Sequence, residues 1–268
     1  MYILQNDHGQ ECDGLEKDDL FSLYMNDCII EYLQDMGITR VYHLGAITDT
    51  TYRNEDIFVY NTEISGKLFE ATHKLNIRTM FASSAAIYGN YEYPIPCTPY
   101  ALSKLLAEYK SINYRNVVSL RYFNVFGPGE ENKGKMASVL YQAWKANQEG
   151  KIFKLFRGSD HMMRDFIYID DVVSTTILVM ENEDLVLRVL DVGTMIPETF
   201  VTALELMGED MVRFEVDPNL LPPMWFQGYT SAGTRWVSAR FVPMYDEGEW
   251  LLEDRIGRYK TYLKGMDS

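Results

Sequence analysis

Cysteine, histidine, basic charge and long apolar runs are all scarce in this 268-residue chain, and each scarcity narrows what it can do. The three cysteines, Cys12, Cys28 and Cys97, are odd in number and widely spaced. They point to a reducing compartment and offer no metal-ligand spacing. Each is expected to be a buried structural thiol. The four histidines are equally scattered, so no metal site is expected. Against 39 acidic residues stand 25 basic ones, a formal charge of −14. That argues against duplex nucleic acid or an anionic membrane as partner. A small anionic ligand remains compatible, because one local arginine or lysine can hold it. No stretch approaches the ~20 apolar residues of a membrane span. The start, "MYILQNDHGQ", has neither the basic region nor the apolar run of a secretory leader. The expected setting is cytoplasmic.

What is present is a 47% apolar composition, enough for a substantial core. Short β-branched or aromatic runs alternate with helical patterns through the first half. "RVYHLGA" (Arg40 to Ala46) reads as a buried strand ending in a small-residue turn. "NTEISGKLFEATHKLN" has apolar positions at Ile64, Leu68, Phe69 and Leu75, a helix with one buried face. "IRTMFASSA" reads as strand, "YALSKLLAEYKSI" as helix, and "NVVSLRYFNVFGP" as strand again before a Gly-Pro stop. This order predicts an α/β fold with parallel βαβ units, whose ligands sit beyond the carboxyl ends of the strands. Ser83, Ser84 and Asn124 fall at those ends. Beyond Gly129 the pattern is less regular: "EENKGKMASVLYQAWKANQEG" reads as a loop then a helix, "RDFIYIDDVVSTTILVMEN" as a strand running into a helix, "RVLDVG" as a short strand, and a last helix lies near Glu247 to Lys264.

The chemistry-bearing arrangement is "SSAAIYGNYEYPIPCTPYALSK", where Tyr100 and Lys104 stand four residues apart and so share a helix face. An ammonium beside a phenol favours the phenolate, whose ordinary pKa is near ~10, and makes it a usable acid or base. Tyr-x-x-x-Lys is a weak signal alone. It recurs at Tyr141 and Lys145 with no serine-bearing strand before it, and there it reads as surface helix. Arg164, in "MRDFIYIDD", has two readings: an anion-binding cation, or a structural partner of Asp165, Asp170 or Asp171. Asn124 reads either as a turn former or as a ligand contact, and Lys133 lies in a loop between glycines.

Together "FASSAAIYG", "PYALSK" and "RYFNVFGP" resemble the extended short-chain dehydrogenase/reductase superfamily, in the order found in nucleotide-sugar epimerases. "RYFNVFGPGEENKGKMASV" and "LFRGSDHMMRDFIYIDDV" resemble the ADP-glycero-manno-heptose 6-epimerases more specifically. The resemblance implies a Rossmann-like cofactor domain over 1–125 and a mainly substrate-binding lobe over 126–268, with about 165–194 returning to the first. It implies NADP or NAD as cofactor and a nucleotide-sugar, ADP-heptose-like, as substrate. Tyr100 would be one acid/base, with Lys104 holding the nicotinamide ribose and lowering the tyrosine pKa. Ser84 would bond the reacting oxygen, and Lys133 would be a second acid/base. Asn124, Lys135, Phe156, Gly158, Ser159 and Arg164 match positions contacting the nucleotide-sugar. Asp7, Gly45, Ala46 and Asn61 match positions along the cofactor. A UDP-hexose 4-epimerase fits the serine and tyrosine motifs equally but gives Lys133 no role. A homo-oligomer is compatible, and the sequence does not fix it.

The departures are equally specific. None of the 18 glycines forms Gly-x-Gly-x-x-Gly or Gly-x-x-Gly-x-x-Gly, the turn whose amides meet a pyrophosphate. "YILQND" resembles the family's second strand, so the first βα unit is expected to be missing and the edges of its neighbours open. A relative that binds a nucleotide-sugar or a partner subunit without turnover is the alternative this favours. Gln142 stands where the family tends to have histidine, Trp225-Phe226-Gln227 where it has Arg-Tyr-Gln, and a second glycine after Gly193 is lost.

Overall fold

The computed structural model describes residues 2–6, 11–15, 17–182, 188–232, 239–241 and 251–266. The chain divides into two compact units. One comprises Met1–Tyr122, Thr176–Asp191 and Arg235–Arg240; the other comprises Phe123–Thr175, Val192–Thr234 and Phe241–Ser268.

The first unit opens with strands β1 (Tyr2–Asn6) and β2 (Glu11–Leu15) and helices α1 (Lys17–Met25) and α2 (Ile29–Asp35). Strand β3 (Ile38–His43) follows. A continuous helical stretch comes next: α3 (Asp56–Phe58), a π-turn at Val59–Glu63, and α4 (Ile64–Lys74). Then come β4 (Arg78–Ser84), a 3₁₀ turn (Ala85–Tyr88), α5 (Pro99–Ser111) and β5 (Val117–Tyr122). Strands β3, β4 and β5 are parallel neighbours, as the alternating pattern predicts. Strand β1 is not part of that parallel series. It runs antiparallel to both β3 and β2, so the edge of β3 expected to lie open is paired. Alternation along a strand reports that it is a strand, not which way it runs.

Helix α4 forms where the apolar spacing places it: Ile64, Leu68 and Phe69 are buried, and Ile64 and Leu68 pack with Leu20, Leu33 and Val41. Helix α5 starts at a Thr98 cap whose hydroxyl accepts from Ala101 N at 3.1 Å, with Pro99 in the first turn. Gly89, after the 3₁₀ turn, has φ +59, and a Cβ there would lie 2.3 Å from the Ile95 carbonyl. Only glycine fits.

The second unit carries β6 (Asn124–Phe126), α6 (Val139–Gln148), β7 (Phe153–Leu155), β8 (Met163–Arg164) and β9 (Phe166–Tyr168). Helix α7 (Ile169–Glu181) and β10 (Val189–Val192) span both units along the chain, and β10 joins the seven-stranded sheet, whose order is strand 239–241, then β10-β5-β4-β3-β1-β2. Next are β11 (Glu198–Thr199), α8 (Phe200–Met207), β12 (Phe214–Val216), β13 (Ala239–Phe241) and α9 (Leu252–Met266). The predicted single strand through "RYFNVF" is broken at Phe123 into β5 and β6, which pair in different sheets. Phe126, Leu140, Trp144, Phe166, Leu204, Ile256 and Tyr259 form this unit's core.

Two expectations are corrected here. Cys28 and Cys97 are exposed free thiols rather than buried ones. Both lie outside the packed faces, Cys28 in the turn before α2 and Cys97 in the proline-rich loop before α5. Tyr141, expected on a surface helix, is buried with its ring 5.5 Å from that of Trp144, while Lys145 is exposed. The helix is amphipathic, and its tyrosine falls on the core side. Among the described residues, no helix is long and apolar enough to cross a membrane.

Candidate active site

In the first unit, Ser84 ends β4 and caps the 3₁₀ turn, its hydroxyl accepting from Ala86 N at 3.2 Å. That hydroxyl is also hydrogen-bonded to the phenol of Tyr100, in the first turn of α5. Burial pushes the Tyr100 phenol above its ordinary pKa, and the Ser84 hydrogen bond pulls the other way. One turn on, Lys104 is 3% exposed. Its amine donates to the Ala82 carbonyl at 2.7 Å and lies 4.9 Å from the Phe81 ring centroid. Burial lowers its pKa to about 7. The expectation that Lys104 lowers the tyrosine pKa is therefore corrected: the amine is turned onto β4, and burial and Ser84 are what act on the phenol.

Behind Lys104 lies His43, fully buried at the end of β3, with Nε2 2.6 Å from Ser65 Oγ. Burial, then the Lys104 charge, holds its imidazole well below the usual pKa. Asn61, in the π-turn, does not point its amide outward. Its Oδ1 accepts from Ile47 N at 2.8 Å, and its Nδ2 donates to Ile47 O at 2.9 Å and to Ser103 Oγ at 3.0 Å. Ser103 in turn donates to the Tyr100 carbonyl at 2.8 Å. Asn61 thus fastens the segment after β3, which contains Gly45 and Ala46, to the helix carrying Tyr100. Asp7 lies outside the described residues.

Residues that spacing arguments missed lie one turn deeper. Glu108 accepts from Arg121 Nε at 2.9 Å and Nη2 at 2.5 Å, and from Ser83 Oγ at 2.8 Å. Arg121 Nη1 also donates to Tyr88 Oη at 2.5 Å, and Tyr88 donates to Asp191 Oδ1 at 2.8 Å. This buried network joins β4, β5, β10 and α5 beneath Ser84 and Lys104. Its one sequence signal is Glu108, four residues after Lys104.

In the second unit, Arg164 is 4% exposed. It donates to Met163 O at 2.9 Å and to the Gln227 carbonyl, and lies over the rings of Phe200 and Phe226 at 5.0 and 4.9 Å. Among the described residues no carboxylate pairs with it, and burial lowers its pKa to about 10. The structural reading with Asp165 or Asp171 is thereby corrected, because both carboxylates are engaged elsewhere. Asp165 accepts from Thr194 N and Oγ1, each at 2.7 Å, from Met195 N at 2.9 Å and from Ala232 N at 2.8 Å. Asp171 is bonded by Arg255 at 2.9 and 3.2 Å. Asp170 is exposed.

Phe156 meets Phe226 edge-on at 5.1 Å and so extends the aromatic group around Arg164. Gly158, with φ +87, turns the chain there, and the buried Ser159 donates its N–H to Phe156 O at 3.1 Å. Asn124 donates its N–H to Asp165 O at 3.0 Å, and its Oδ1 accepts from Thr230 Oγ1 at 3.2 Å. Lys133 and Lys135 are exposed on the loop before α6. Gln142 Nε2 donates back to that loop, to Ala137 O at 2.7 Å and Lys135 O at 3.3 Å. Among the described residues no acidic, histidine or cysteine group could hold a metal.

The sequence model of the NAD dependent epimerase/dehydratase family matches residues 8–193. An ADP-L-glycero-D-manno-heptose-6-epimerase of Brachyspira hyodysenteriae is 31% identical over 248 residues, covering 85% of this chain and 76% of that one. The crystal structure of the enzyme of that name from Helicobacter pylori superposes with a TM-score of 0.71 at 26% identity, covering 88% of this chain and 76% of that one. A UDP-glucuronic acid 4-epimerase mutant from Bacillus cereus, in complex with a UDP-sugar and NAD, has the same fold, with a TM-score of 0.71 at 23% identity over 93% and 86% of the chains.

Proposed function

Because the chain belongs to the NAD dependent epimerase/dehydratase family, we propose that it epimerises a nucleotide-sugar, most like ADP-glycero-manno-heptose at C6. The carrying observation is the serine-tyrosine pair at the end of β4 with a buried lysine one turn beyond it.

The donor set there suits the ribose end of NAD. An ammonium has three donors, and Lys104 spends one on the Ala82 carbonyl. Lys104 would hold the ribose hydroxyls with the others. No residue is assigned to the pyrophosphate, since the glycine-rich turn is not in this sequence. Bound NAD supplies reversible hydride acceptance from a carbinol carbon.

The chain's own residues handle the protons. Tyr100, kept a neutral phenol by burial, is set to donate to a carbonyl oxygen, with Ser84 bonding the same oxygen. Lys133 serves as the second acid/base for the sugar turned to its other face. The buried guanidinium of Arg164, without a carboxylate among the described residues, suits the diphosphate of the substrate, and Phe156 and Phe226 offer apolar faces beside it.

The test is calorimetric titration of the chain with NAD⁺, followed by NMR of ADP-heptose epimerisation in wild type, Tyr100→Phe and Lys133→Met. We expect micromolar cofactor binding and a loss of about 10²–10⁴-fold in each variant. Full activity in either variant would remove the two-base assignment. A folded chain that binds no cofactor would replace catalysis with a nucleotide-sugar binding role.

A further inference from the structure

Lys133 sits in a loop whose two ends are clasped by one carboxylate. Glu130 is 2% exposed. Its Oε1 accepts from Ser138 N at 2.6 Å; its Oε2 accepts from Ser138 Oγ at 2.8 Å, Tyr259 Oη at 2.9 Å and Gly127 N at 3.4 Å. Residues 130 and 138 are thus held together, and the intervening chain with Lys133 and Lys135 is displayed outward. Inside the loop, Lys133 N donates to Glu130 O at 3.0 Å and Met136 N to Lys133 O at 3.0 Å.

The clasp is fixed to helix α9 twice. Tyr259 bonds Glu130, and Tyr262 donates to Glu131 Oε1. The two rings stack, 6.1 Å apart and 12° from parallel. Helix α9 is itself anchored by the buried Arg255–Asp171 pair and by Ile256 and Leu263 in the core. We propose that α9, through Tyr259 and Tyr262, is the positioning element for Lys133, setting where its amine is presented to the sugar. The inference rests on Lys133 being the second acid/base. A lysine carries its amine on a flexible four-carbon stem, so the backbone position decides its reach. An error of about 1 Å at a reacting group can cost roughly 10²-fold in rate.

A core role for α9 and a positioning role make different predictions for Tyr262→Phe, which keeps the partly buried ring and deletes only the hydroxyl. Under the positioning role, kcat for epimerisation falls about tenfold with KM little changed. Trypsin cleavage after Lys133 and Lys135, followed by mass spectrometry on the whole chain, speeds up several-fold while other sites are unchanged. Glu131→Ala gives the same phenotype, and the double variant is no worse than either single one, since both delete one contact. Wild-type kcat and cleavage in Tyr262→Phe would overturn the proposal. Lys133→Met separates the layers: if it is fully active, the acid/base reading of Lys133 fails. If it is inactive while Tyr262→Phe behaves as wild type, only the positioning role fails.

Discussion

Helix α5 holds Lys104 and Glu108 one turn apart, both buried to within a few per cent, and the fold treats them in opposite ways. Glu108 receives two guanidinium donors and a serine hydroxyl. Lys104 receives a single carbonyl, and burial alone moves its pKa. The second unit repeats the contrast. Arg255 meets Asp171 in a two-point pair, whereas Arg164 has two carbonyls, two aromatic faces and, among the described residues, no carboxylate. Removing one partner of a buried pair strands a charge, so paired cations stabilise the structure they hold. A buried cation without an anion lowers stability, and perturbed groups of this kind cluster at functional sites. Of these four buried cations, Arg121 and Arg255 are paired with carboxylates, and Lys104 and Arg164 have none among the described residues.

The largest effect should come from breaking a pair. Arg121→Met leaves Glu108 and Asp191 buried without their cation and is expected to cost about 3–5 kcal/mol in urea unfolding. Lys104→Met should stay within about 1 kcal/mol of wild type at pH 7, because the lost bond to Ala82 offsets the relief of burying an amine. Equal destabilisation by both variants would collapse the distinction.

The next effect is a pH dependence. The Lys104 amine titrates near 7 in the folded chain and at its ordinary 10.5 when unfolded. Between those values the unfolded state holds the extra proton, so stability rises with pH. Wild type should therefore gain on Lys104→Met as pH climbs from 7 towards 10.5, by up to about 1.4 kcal/mol per unit, and show no such gain below 7. Urea midpoints of the two proteins across pH 6–10 measure the slope. A flat difference would mean that the amine is not buried as described.

Much of this was legible before the structure. Buried β-branched runs and the 3.6-residue spacing of Ile64 and Leu68 gave β3, β4, β5 and α4, because burial on one face or two is written directly in periodicity. Spacing also found Tyr100 and Lys104, but it found Tyr141 and Lys145 equally. Which member of each pair is buried depends on the neighbouring element, and there the two motifs are opposite: Lys104 is inside, Lys145 outside. The direction of β1, the Glu108–Arg121–Asp191 network and the clasp at Glu130 all join residues far apart in sequence. Local pattern carries no information about such pairings. Arg164 showed the limit most clearly, since three nearby aspartates made a structural pair plausible and none of them provides one.

One departure noted in the sequence gives the smallest and sharpest test. The resemblance leads one to expect a second glycine after Gly193, and Met195, two residues on, holds φ +64, a conformation that favours glycine. The backbone accepts this because Met195 N donates to Asp165 at 2.9 Å, alongside Thr194 and Ala232. Those donors keep the Asp165 carboxylate occupied, so it does not pair with its sequence neighbour Arg164. Met195→Gly should relieve the strained φ while preserving the donor, raising stability by about 0.5–1 kcal/mol, the lost ordering of the unfolded chain setting the upper limit. If the comparison is right, this gain leaves nucleotide-sugar affinity unchanged, because the donors around Asp165 are the same. A variant that gains stability but loses affinity would indicate that Asp165 had turned to Arg164, and that the unpaired cation depends on strain at Met195 rather than on the donor set.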